Sequence, residues 1–325
     1  MVKNVKKVRS NKKNIFHSSL LTPHFILCAV LILVLSLISC VRRDSDDSLL
    51  IAVSIPPQAW FVSEIAGGNA GVLILVPPGQ NPHNYEPTPR QIQSLSKASA
   101  WILSGTEFEI SLLPKIKSLF PDLLIIDGTE GVEFRYLSDH EHHDCDDHDH
   151  DTPHSTLSTP HSSLNIDRHT WLGRKSAAVM AARIYDTLLH LDRKNESHYD
   201  WQYKNMLRKI NDTFEELRIA LAPLKGKSVF VYHPSFGYFL DEFGIIQEAV
   251  EMGGKEPTPR QLNALMERIN QEKPAAIFVQ TQFPVNTART IANSAGAKVI
   301  ELDPLAQDWL ENIKRMGQAL QNIIK

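Results

Sequence analysis

The segment Glu86-Pro87-Thr88-Pro89-Arg90-Gln91-Ile92 returns later in the chain as Glu256-Pro257-Thr258-Pro259-Arg260-Gln261-Leu262, with only the last residue changed. In both copies the threonine stands before a proline, an order that suits the N-cap and the first residue of an α-helix. The repeat favours two lobes of related design whose helix N-termini face a shared cleft. Two unrelated helices that merely start alike are the alternative interpretation.

Short apolar runs lie on both sides of each copy, and those of the first half end at turn-forming residues. They cover residues 49–53, 72–76, 100–103 and 123–126 in the first half, and residues 228–232, 245–246, 275–279 and 298–300 in the second. Such runs are typical of buried parallel strands, with helices between them. We therefore predict an α/β protein with two lobes, each with a mostly parallel β-sheet flanked by helices.

One long backbone helix is predicted to join the two lobes. Mostly apolar side chains recur in this region at a spacing of three or four residues: Tyr199, Tyr203, Met206, Ile210, Thr213 or Phe214, Leu217 and Leu221. The pattern indicates a helix from about Arg193 to Ala222, which Pro223 ends. About 30 residues at 1.5 Å each give a rod of about 45 Å, long enough to cross both lobes as a stiff connection.

The head of the chain is basic and then apolar. Residues 1–39 contain six basic and no acidic side chains, and residues 25–39 are uncharged. As a helix this run spans about 22 Å, less than the ~30 Å hydrocarbon core of a bilayer, so it predicts a secretory signal peptide. Leu37-Ile38-Ser39-Cys40 resembles a bacterial lipobox, in which Cys40 is acylated and tethers the protein to a membrane. An uncleaved signal anchor with an incidental cysteine is the alternative.

These patterns divide the chain into five segments. Residues 1–39 are the predicted signal peptide, residues 40–48 a tether, and residues 49–192 the N-terminal lobe. Residues 193–223 form the linking helix, and residues 224–325 form the C-terminal lobe.

The composition excludes several classes of protein. The 325 residues are 42% hydrophobic and 22% charged, which is ordinary for a globular chain and excludes wholesale disorder. The net charge of −3 provides no basic field for nucleic acid, so no nucleic-acid partner is expected. Of the three cysteines, Cys28 leaves with the signal and Cys40 is acylated. Cys145 then has no partner for a disulfide within the chain.

The N-terminal lobe carries a low-complexity loop, residues 139–163, which is rich in histidine and aspartate and has no apolar period. Imidazoles and carboxylates both bind Zn²⁺, so the loop is expected to bind metal in an accessory role. Its candidate ligands are His140, His142, His143, His148, His150 and His154. A solvated acidic loop is the alternative, and Cys145 within it is either a metal-binding thiolate or a passenger.

Four residues outside the loop are candidates for one metal site: His83, His169, His233 and Asp303. Three of them follow predicted strands, and open α/β sheets bind ligands where their strands end. Three imidazoles and one carboxylate form a set that tetrahedral zinc accepts. Each histidine taken singly is more often a core or cap residue. Four candidates at matching positions, two from each half, favour a shared site.

These segments resemble the metal-binding lipoproteins of bacterial ABC importers, the cluster A-I substrate-binding proteins for zinc and manganese. The resemblance covers nearly the whole mature chain and rests on Val53-Ser54-Ile55-Pro56-Pro57-Gln58 and on residues 78–87, 167–172, 232–238 and 302–305. It implies two α/β lobes joined by a long backbone helix, with one metal ion in the cleft. By resemblance the ligands of that ion are His83, His169, His233 and Asp303.

Zinc is favoured over manganese as the bound ion. Manganese members of the family typically carry a glutamate at the third ligand position, where this chain has His233. Carboxylates and water suit Mn²⁺, whereas a site dominated by histidine selects later transition metals. The chain also departs from the family in residues 279–282, which lack a glutamate that many members carry. The hydrogen bonds around the ligands are therefore expected to differ.

The predicted function is the capture of Zn²⁺ outside the cytoplasm with high affinity and its delivery to the permease of an ABC importer with its ATPase. Ligands without a nucleophile motif or a catalytic base bind rather than catalyse, so no enzyme is expected, and an exported zinc hydrolase is the weaker alternative. The sequence is also compatible with a manganese or other divalent-metal protein of the same family and with a surface adhesin. We expect an exported monomer, lipid-anchored on the periplasmic or extracellular face of the cell membrane.

Overall fold

The computed structural model describes residues 49–137, 166–251, 258–283 and 285–324. The predictions for the signal peptide, the acylated Cys40, the tether and the histidine-rich loop with Cys145 lie outside the described residues. Within the described ranges, no helix is both long and apolar enough to cross a membrane.

The N-terminal lobe is built on a four-stranded parallel sheet. Its strands are β1 (Leu50–Val53), β2 (Gly71–Ile74), β3 (Ala100–Leu103) and β4 (Leu124–Asp127), in the order β2-β1-β3-β4. The helices between them are α1 (Pro56–Ala66), α2 (Pro89–Ser94) and α3 (Glu107–Leu119). The central strands β1 and β3 are largely buried, as expected for apolar runs inside a parallel sheet.

Two consecutive helices, α4 (Arg174–Leu191) and α5 (Glu196–Ala220), lead from the first lobe to the second. Helix α5 is the predicted linking helix, and its 25 residues make a rod of about 37 Å. Short 3₁₀ helices, Arg193–Asn195 and Ala222–Leu224, flank it. The predicted segment is therefore α-helical in its middle and 3₁₀-helical at both ends. Its buried side chains follow the predicted spacing: Tyr199, Met206, Ile210, Thr213, Phe214 and Leu217.

The C-terminal lobe repeats the design of the first. Its strands are β5 (Ser228–Val231), β6 (Ile246–Ala249), β7 (Ala276–Gln280) and β8 (Lys298–Leu302), all parallel and in the order β6-β5-β7-β8. The helices are α6 (Gly237–Asp241), α7 (Pro259–Glu272), α8 (Val285–Ala295) and α9 (Trp309–Gln321). The predicted fold class, two parallel-sheet lobes joined by a long helix, is confirmed.

The repeated segment occupies the same place in both lobes. The first copy lies between β2 and β3, where the side chain of Thr88 accepts a hydrogen bond from Gln91 N at 3.3 Å and α2 begins at Pro89. The second copy lies between β6 and β7, where α7 begins at Pro259, directly after Thr258. The two sheets share one strand order, so the repeat marks one topological position that the chain uses twice.

The segment after β1 organises the carboxyl edge of the first sheet. The buried Gln58 accepts hydrogen bonds with Oε1 from Ser54 N at 2.9 Å and from Ile55 N at 3.3 Å, and its Nε2 donates to Leu103 O at 3.1 Å. These bonds satisfy backbone groups where β1 and β3 end and where α1 begins with Pro56. Ligands bind at this edge in open α/β folds.

An apolar core shared between the lobes holds them together. The ring of Trp309, at the start of α9, lies 5.4 Å from Trp60 and 4.9 Å from Phe61 of α1, measured between centroids. Trp309 Nε1 donates to Trp171 O at 2.7 Å, and Trp171 Nε1 donates to Pro304 O at 2.8 Å. Because close-packed interiors resist deformation, this core opposes independent movement of the two lobes.

Candidate metal centre

His83 is placed by a turn between β2 and α2. Its backbone N–H donates to Asn81 Oδ1 at 3.0 Å, and Gly79 before it has a φ of +79°, a conformation that favours glycine. The ring atom Nδ1 lies 2.9 Å from Oε2 of Glu107, the first residue of α3. The side chain is 26% exposed and is the most open of the three candidate imidazoles.

His169 is placed by Asp167, two residues before it in the chain. Oδ1 of Asp167 accepts a hydrogen bond from His169 N at 3.0 Å and lies 2.8 Å from His169 Nδ1. Both residues are buried, and the carboxylate is completely enclosed. One oxygen atom thus holds both the backbone and the ring of this histidine.

His233 lies two residues beyond the end of β5, directly after Tyr232, and it is held by Gln280 and Glu251. Its N–H donates to Gln280 Oε1 at 3.1 Å, while Gln280 Nε2 donates to His233 O and, at 2.9 Å, to Ser235 Oγ. Its Nδ1 lies 2.5 Å from Oε2 of Glu251, a buried residue that follows β6. The region that lacks the family's glutamate therefore supports the backbone of His233, and a carboxylate from another segment supports its ring.

The three rings meet at their Nε2 atoms. The Nε2 atom of His233 lies 3.0 Å from that of His83 and 3.3 Å from that of His169. A tetrahedral ion with Zn–N bonds of about 2.0–2.1 Å separates its ligand nitrogens by about 3.3 Å. Within the described ranges, these histidines form the only group of three or more His, Cys, Asp or Glu residues whose ligand atoms lie within 4.8 Å of one another. The three residues could hold a metal ion.

The carboxylates determine which ring nitrogens are free for a ligand. Each imidazole has a carboxylate oxygen on its Nδ1, from Glu107, Asp167 or Glu251. A carboxylate accepts a hydrogen bond from Nδ1–H and so favours the tautomer in which Nε2 carries a lone pair. Three such lone pairs pointing at one another repel, and a cation between them removes that repulsion. The arrangement is that of a cation site whose ligands are oriented from behind.

Burial and neighbouring charges shift the pKa values of one imidazole and two carboxylates in the site. Burial lowers the pKa of His233 to about 4, against the opposing effect of its hydrogen bond with Glu251, so its ring is neutral at pH 7. Burial alone would raise the pKa of Asp167, but its hydrogen bond and charge interaction with His169 lower it below the ordinary value. The same balance between burial and His83 lowers the pKa of Glu107. Both carboxylates are ionised at neutral pH.

A small cavity adjoins the three imidazoles. Its walls include Trp171, Phe283 and Leu305, with Asn81 and Gln282 among the polar lining. The ring of Phe283 stacks on His233 with centroids 4.6 Å apart and an interplanar angle of 22°. Apolar walls of this kind exclude water and strengthen electrostatic contacts at the site.

Asp303, the predicted fourth ligand, is not brought into the three-histidine group. Its residue follows β8, and its Oδ1 accepts hydrogen bonds from Gln282 Nε2 at 2.6 Å and from Leu305 N at 2.9 Å. Its backbone carbonyl accepts from Asn312 Nδ2 at 2.7 Å. Its neighbours Pro304 and Leu305 line the cavity, and the ligand role of Asp303 stays a prediction.

Sequence reasoning missed the carboxylates behind the rings. Asp167 begins the segment 167–172 that carries part of the family resemblance, and its Asp-x-His spacing is a local signal for such a contact. Glu107 and Glu251 are separated from their histidines by 24 and 18 residues, and no sequence pattern links them. The loop candidates lie outside the described residues: His140, His142, His143, His148, His150 and His154.

The comparisons with known proteins agree with this geometry. Residues 51–323 match the family described as "Zinc-uptake complex component A periplasmic", ZnuA. The high-affinity zinc uptake system protein ZnuA of Yersinia pestis is 25% identical over 274 residues, which are 79% of this chain and 83% of that protein. The chain also matches streptococcal zinc-binding AdcA proteins but spans only about half their length; for Streptococcus pyogenes the identity is 22% over 84% of this chain.

Solved structures give the same family relationship. A crystal structure of ZnuA is 31% identical, with a TM-score of 0.75, and the match covers 86% of this chain and 100% of that one. A ZnuA deletion mutant crystallised with zinc bound is also 31% identical, with a TM-score of 0.74 and coverage of 85% and 98%.

Proposed function

The chain belongs to the ZnuA family of zinc-uptake proteins, and we propose that it captures one Zn²⁺ ion between its lobes and delivers it to the membrane permease of an ABC importer. The permease works with its own ATPase. The observation that carries the proposal is the convergence of three carboxylate-backed Nε2 atoms, 3.0 Å and 3.3 Å apart along two of their edges. The proposed role is transport and not catalysis.

Zinc fits this donor set better than manganese does. Three imidazole nitrogens favour the later divalent metals, whereas Mn²⁺ prefers carboxylates and water. The Nε2 separations also match the short bonds of tetrahedral zinc. A manganese protein of the same family is the runner-up, and it would require more oxygen ligands than the three histidines supply.

The deciding experiment uses protein purified without added metal. We expect elemental analysis to find about one zinc per chain and competition calorimetry to show that Zn²⁺ displaces Mn²⁺. His190→Ala is the matched control, because His190 is an exposed histidine on α4 and lies outside the site. A clear manganese preference would overturn the choice of metal, and no stoichiometric binding of either ion would overturn the proposed function.

Asp303 remains the proposed fourth ligand of the ion. To reach it, the carboxylate has to exchange the hydrogen bond from Gln282 for a bond to the metal. Asp303→Ala is then expected to weaken zinc binding without abolishing it, because three nitrogens remain. Unchanged zinc affinity and an unchanged Co²⁺ absorption spectrum in this variant would show that Asp303 is not a ligand.

Anchoring at Cys40 and a monomeric state complete the proposal. An exported location fits a family described as periplasmic, and an acylated Cys40 would hold the protein at the cell membrane. Mass spectrometry of the mature protein should find lipid on Cys40, and Cys40→Ser should release the protein from membranes. Adhesion to a host matrix protein stays a separate prediction, and matrix binding undiminished by chelation would support it.

A further inference from the structure

Arg135 of the N-terminal lobe makes contacts that the proposed function does not use. It lies beyond β4 and next to Tyr136, and the backbone of Tyr136 pairs with that of Ile166 in an isolated antiparallel bridge. The carbonyl of Arg135 accepts a hydrogen bond from Asp167 N at 2.9 Å. The backbone of Arg135 is therefore fixed beside the carboxylate that holds His169.

The guanidinium of Arg135 joins that carboxylate to the other lobe. Its Nη1 donates to Asp167 Oδ2 at 3.1 Å, and its Nε donates to Oδ2 of Asp241, in α6, at 2.7 Å. Asp167 is fully buried, so its pair with Arg135 is shielded from solvent. The side chain of Asp241 is 54% exposed, and its pair is screened more strongly.

Two further residues of the C-terminal lobe fit this contact. Tyr238 Oη accepts a hydrogen bond from Arg135 N at 2.9 Å and donates one to Asp167 O, also at 2.9 Å. At Gly237 a Cβ atom would overlap with the guanidinium of Arg135. Only glycine lets that group lie so close to the backbone of α6. The Phe236-Gly237-Tyr238 segment is thus shaped to receive Arg135.

Asp167 divides its two oxygens between this contact and the metal centre. Oδ2 takes the guanidinium of Arg135, while Oδ1 holds the backbone N–H and the Nδ1 of His169. A shift of Arg135 would therefore turn the carboxylate that aims His169 at the other two imidazoles. No other described side chain connects α6 to this carboxylate by an ion pair.

We propose that Arg135 is a positioning residue that clamps the C-terminal lobe to Asp167 and thereby holds His169 in its metal-binding orientation. The clamp rests on the proposed zinc function and adds a coupling between lobe contact and ligand geometry. The contact with α6 keeps the guanidinium against Asp167, and loss of that contact weakens the support of His169. A variant that breaks the contact is therefore expected to release the ion faster.

The test compares zinc affinity and zinc release in four variants. Arg135→Ala should weaken zinc binding about tenfold, the lower end of the 10- to 100-fold cost of losing a direct hydrogen-bond partner of a ligand, because Arg135 acts through Asp167. The loss should come chiefly through faster release to a chelator. Gly237→Ala should act in the same direction, because its methyl group displaces the guanidinium without removing a charge. Arg135→Lys should restore part of the affinity, since an ammonium cannot make both directed contacts. Arg218→Ala, which removes an exposed ion pair on α5, is the control and should match the parent chain.

A spectroscopic readout separates positioning from general stability. The absorption spectrum of bound Co²⁺ should change in Arg135→Ala and Gly237→Ala and return towards the parent form in Arg135→Lys. Circular dichroism checks folding, and if Arg135→Ala does not fold, Gly237→Ala and Arg135→Lys decide the result. If the folded variants match the parent chain in zinc affinity, rate of zinc release and Co²⁺ spectrum, the proposed role of Arg135 is wrong. Stoichiometric zinc binding by the parent chain would still support the metal site. Absence of zinc binding by the parent chain would instead overturn the proposed function.

Discussion

The three imidazoles of the metal centre differ in the setting of the carboxylates behind them. Asp167 and Glu251 are 0% and 3% exposed, whereas the side chain of Glu107, behind His83, is 40% exposed. Glu107 also lies 3.6 Å from Arg168 Nε and so divides its charge between two partners. Electrostatic contacts are stronger and less screened away from water. Two rings are therefore held by buried pairs, and the third by a pair that solvent weakens.

This contrast suggests a division of work within the site. His169 and His233 are positioned before an ion arrives, because turning either ring breaks a hydrogen bond to a buried carboxylate that water does not reach. His83 lies on a turn, is the most exposed imidazole and loses less when its pair opens. We expect the buried pairs to determine affinity and the open pair to affect how the ion enters.

The largest expected effect comes from removing a buried imidazole. His169→Ala or His233→Ala should abolish tight stoichiometric zinc binding, a loss greater than the roughly 10- to 100-fold cost of losing a hydrogen-bond partner of a ligand. Each variant loses a nitrogen donor that its buried carboxylate already holds in place, and it keeps only two nitrogens beside the proposed Asp303 carboxylate. Calorimetry measures the loss, with His190→Ala as the control. Tight binding that survives in either folded variant would show that the three-histidine centre is the wrong site.

Removal of a buried carboxylate should have the next largest effect. Asp167→Asn and Glu251→Gln keep the size of the side chain but exchange one carboxylate oxygen for an NH₂ group. The resulting neutral amide can both donate and accept, so it no longer imposes the Nδ1–H tautomer on the histidine. We expect zinc affinity to fall about 10- to 100-fold in each variant. Competition with a chelator of known affinity gives the value. Affinities equal to that of the parent chain would mean that the carboxylates do not orient the rings.

The exposed carboxylate should matter less than the buried ones. Glu107→Gln is expected to lower zinc affinity less than tenfold, because solvent already screens the pair of Glu107 with His83. The difference between Glu107→Gln and the parent chain should also shrink as salt is raised from about 0.05 to 0.5 M. Calorimetry at both salt concentrations tests this. A loss as large as that of Glu251→Gln would erase the contrast between buried and open pairs.

Deletion of the histidine-rich loop should have the smallest effect on tight binding. A chain without residues 139–163 is expected to keep one tight zinc and to lose weak additional equivalents, because many separate weak ligands capture ions only transiently. Zinc titration of the deletion variant and the full chain, side by side, measures both classes of site. Disappearance of the tight equivalent would place an essential ligand in the loop.

Two strands, β3 and β6, show how well short apolar runs in the sequence predict strand positions. The run at residues 100–103 became β3 without a shift, because a central strand buried on both faces must be apolar throughout. The run at residues 245–246 predicted only the beginning of β6, which continues through Gln247 and Glu248 to Ala249. Strand β6 is at the edge of its sheet, where polar side chains are tolerated and the apolar signal fades.

The sequence by itself determined the two parallel sheets, the linking helix and the three histidines, because strand burial, helical period and ligand type are properties of short segments. Only the tertiary structure decided which carboxylate stands behind each ring and that Asp303 is held by Gln282 and Leu305. These contacts join residues from different strand ends and lobes. Their geometry depends on how the sheets, α6 and the shared Trp309 core pack, and no local pattern in the chain records that packing.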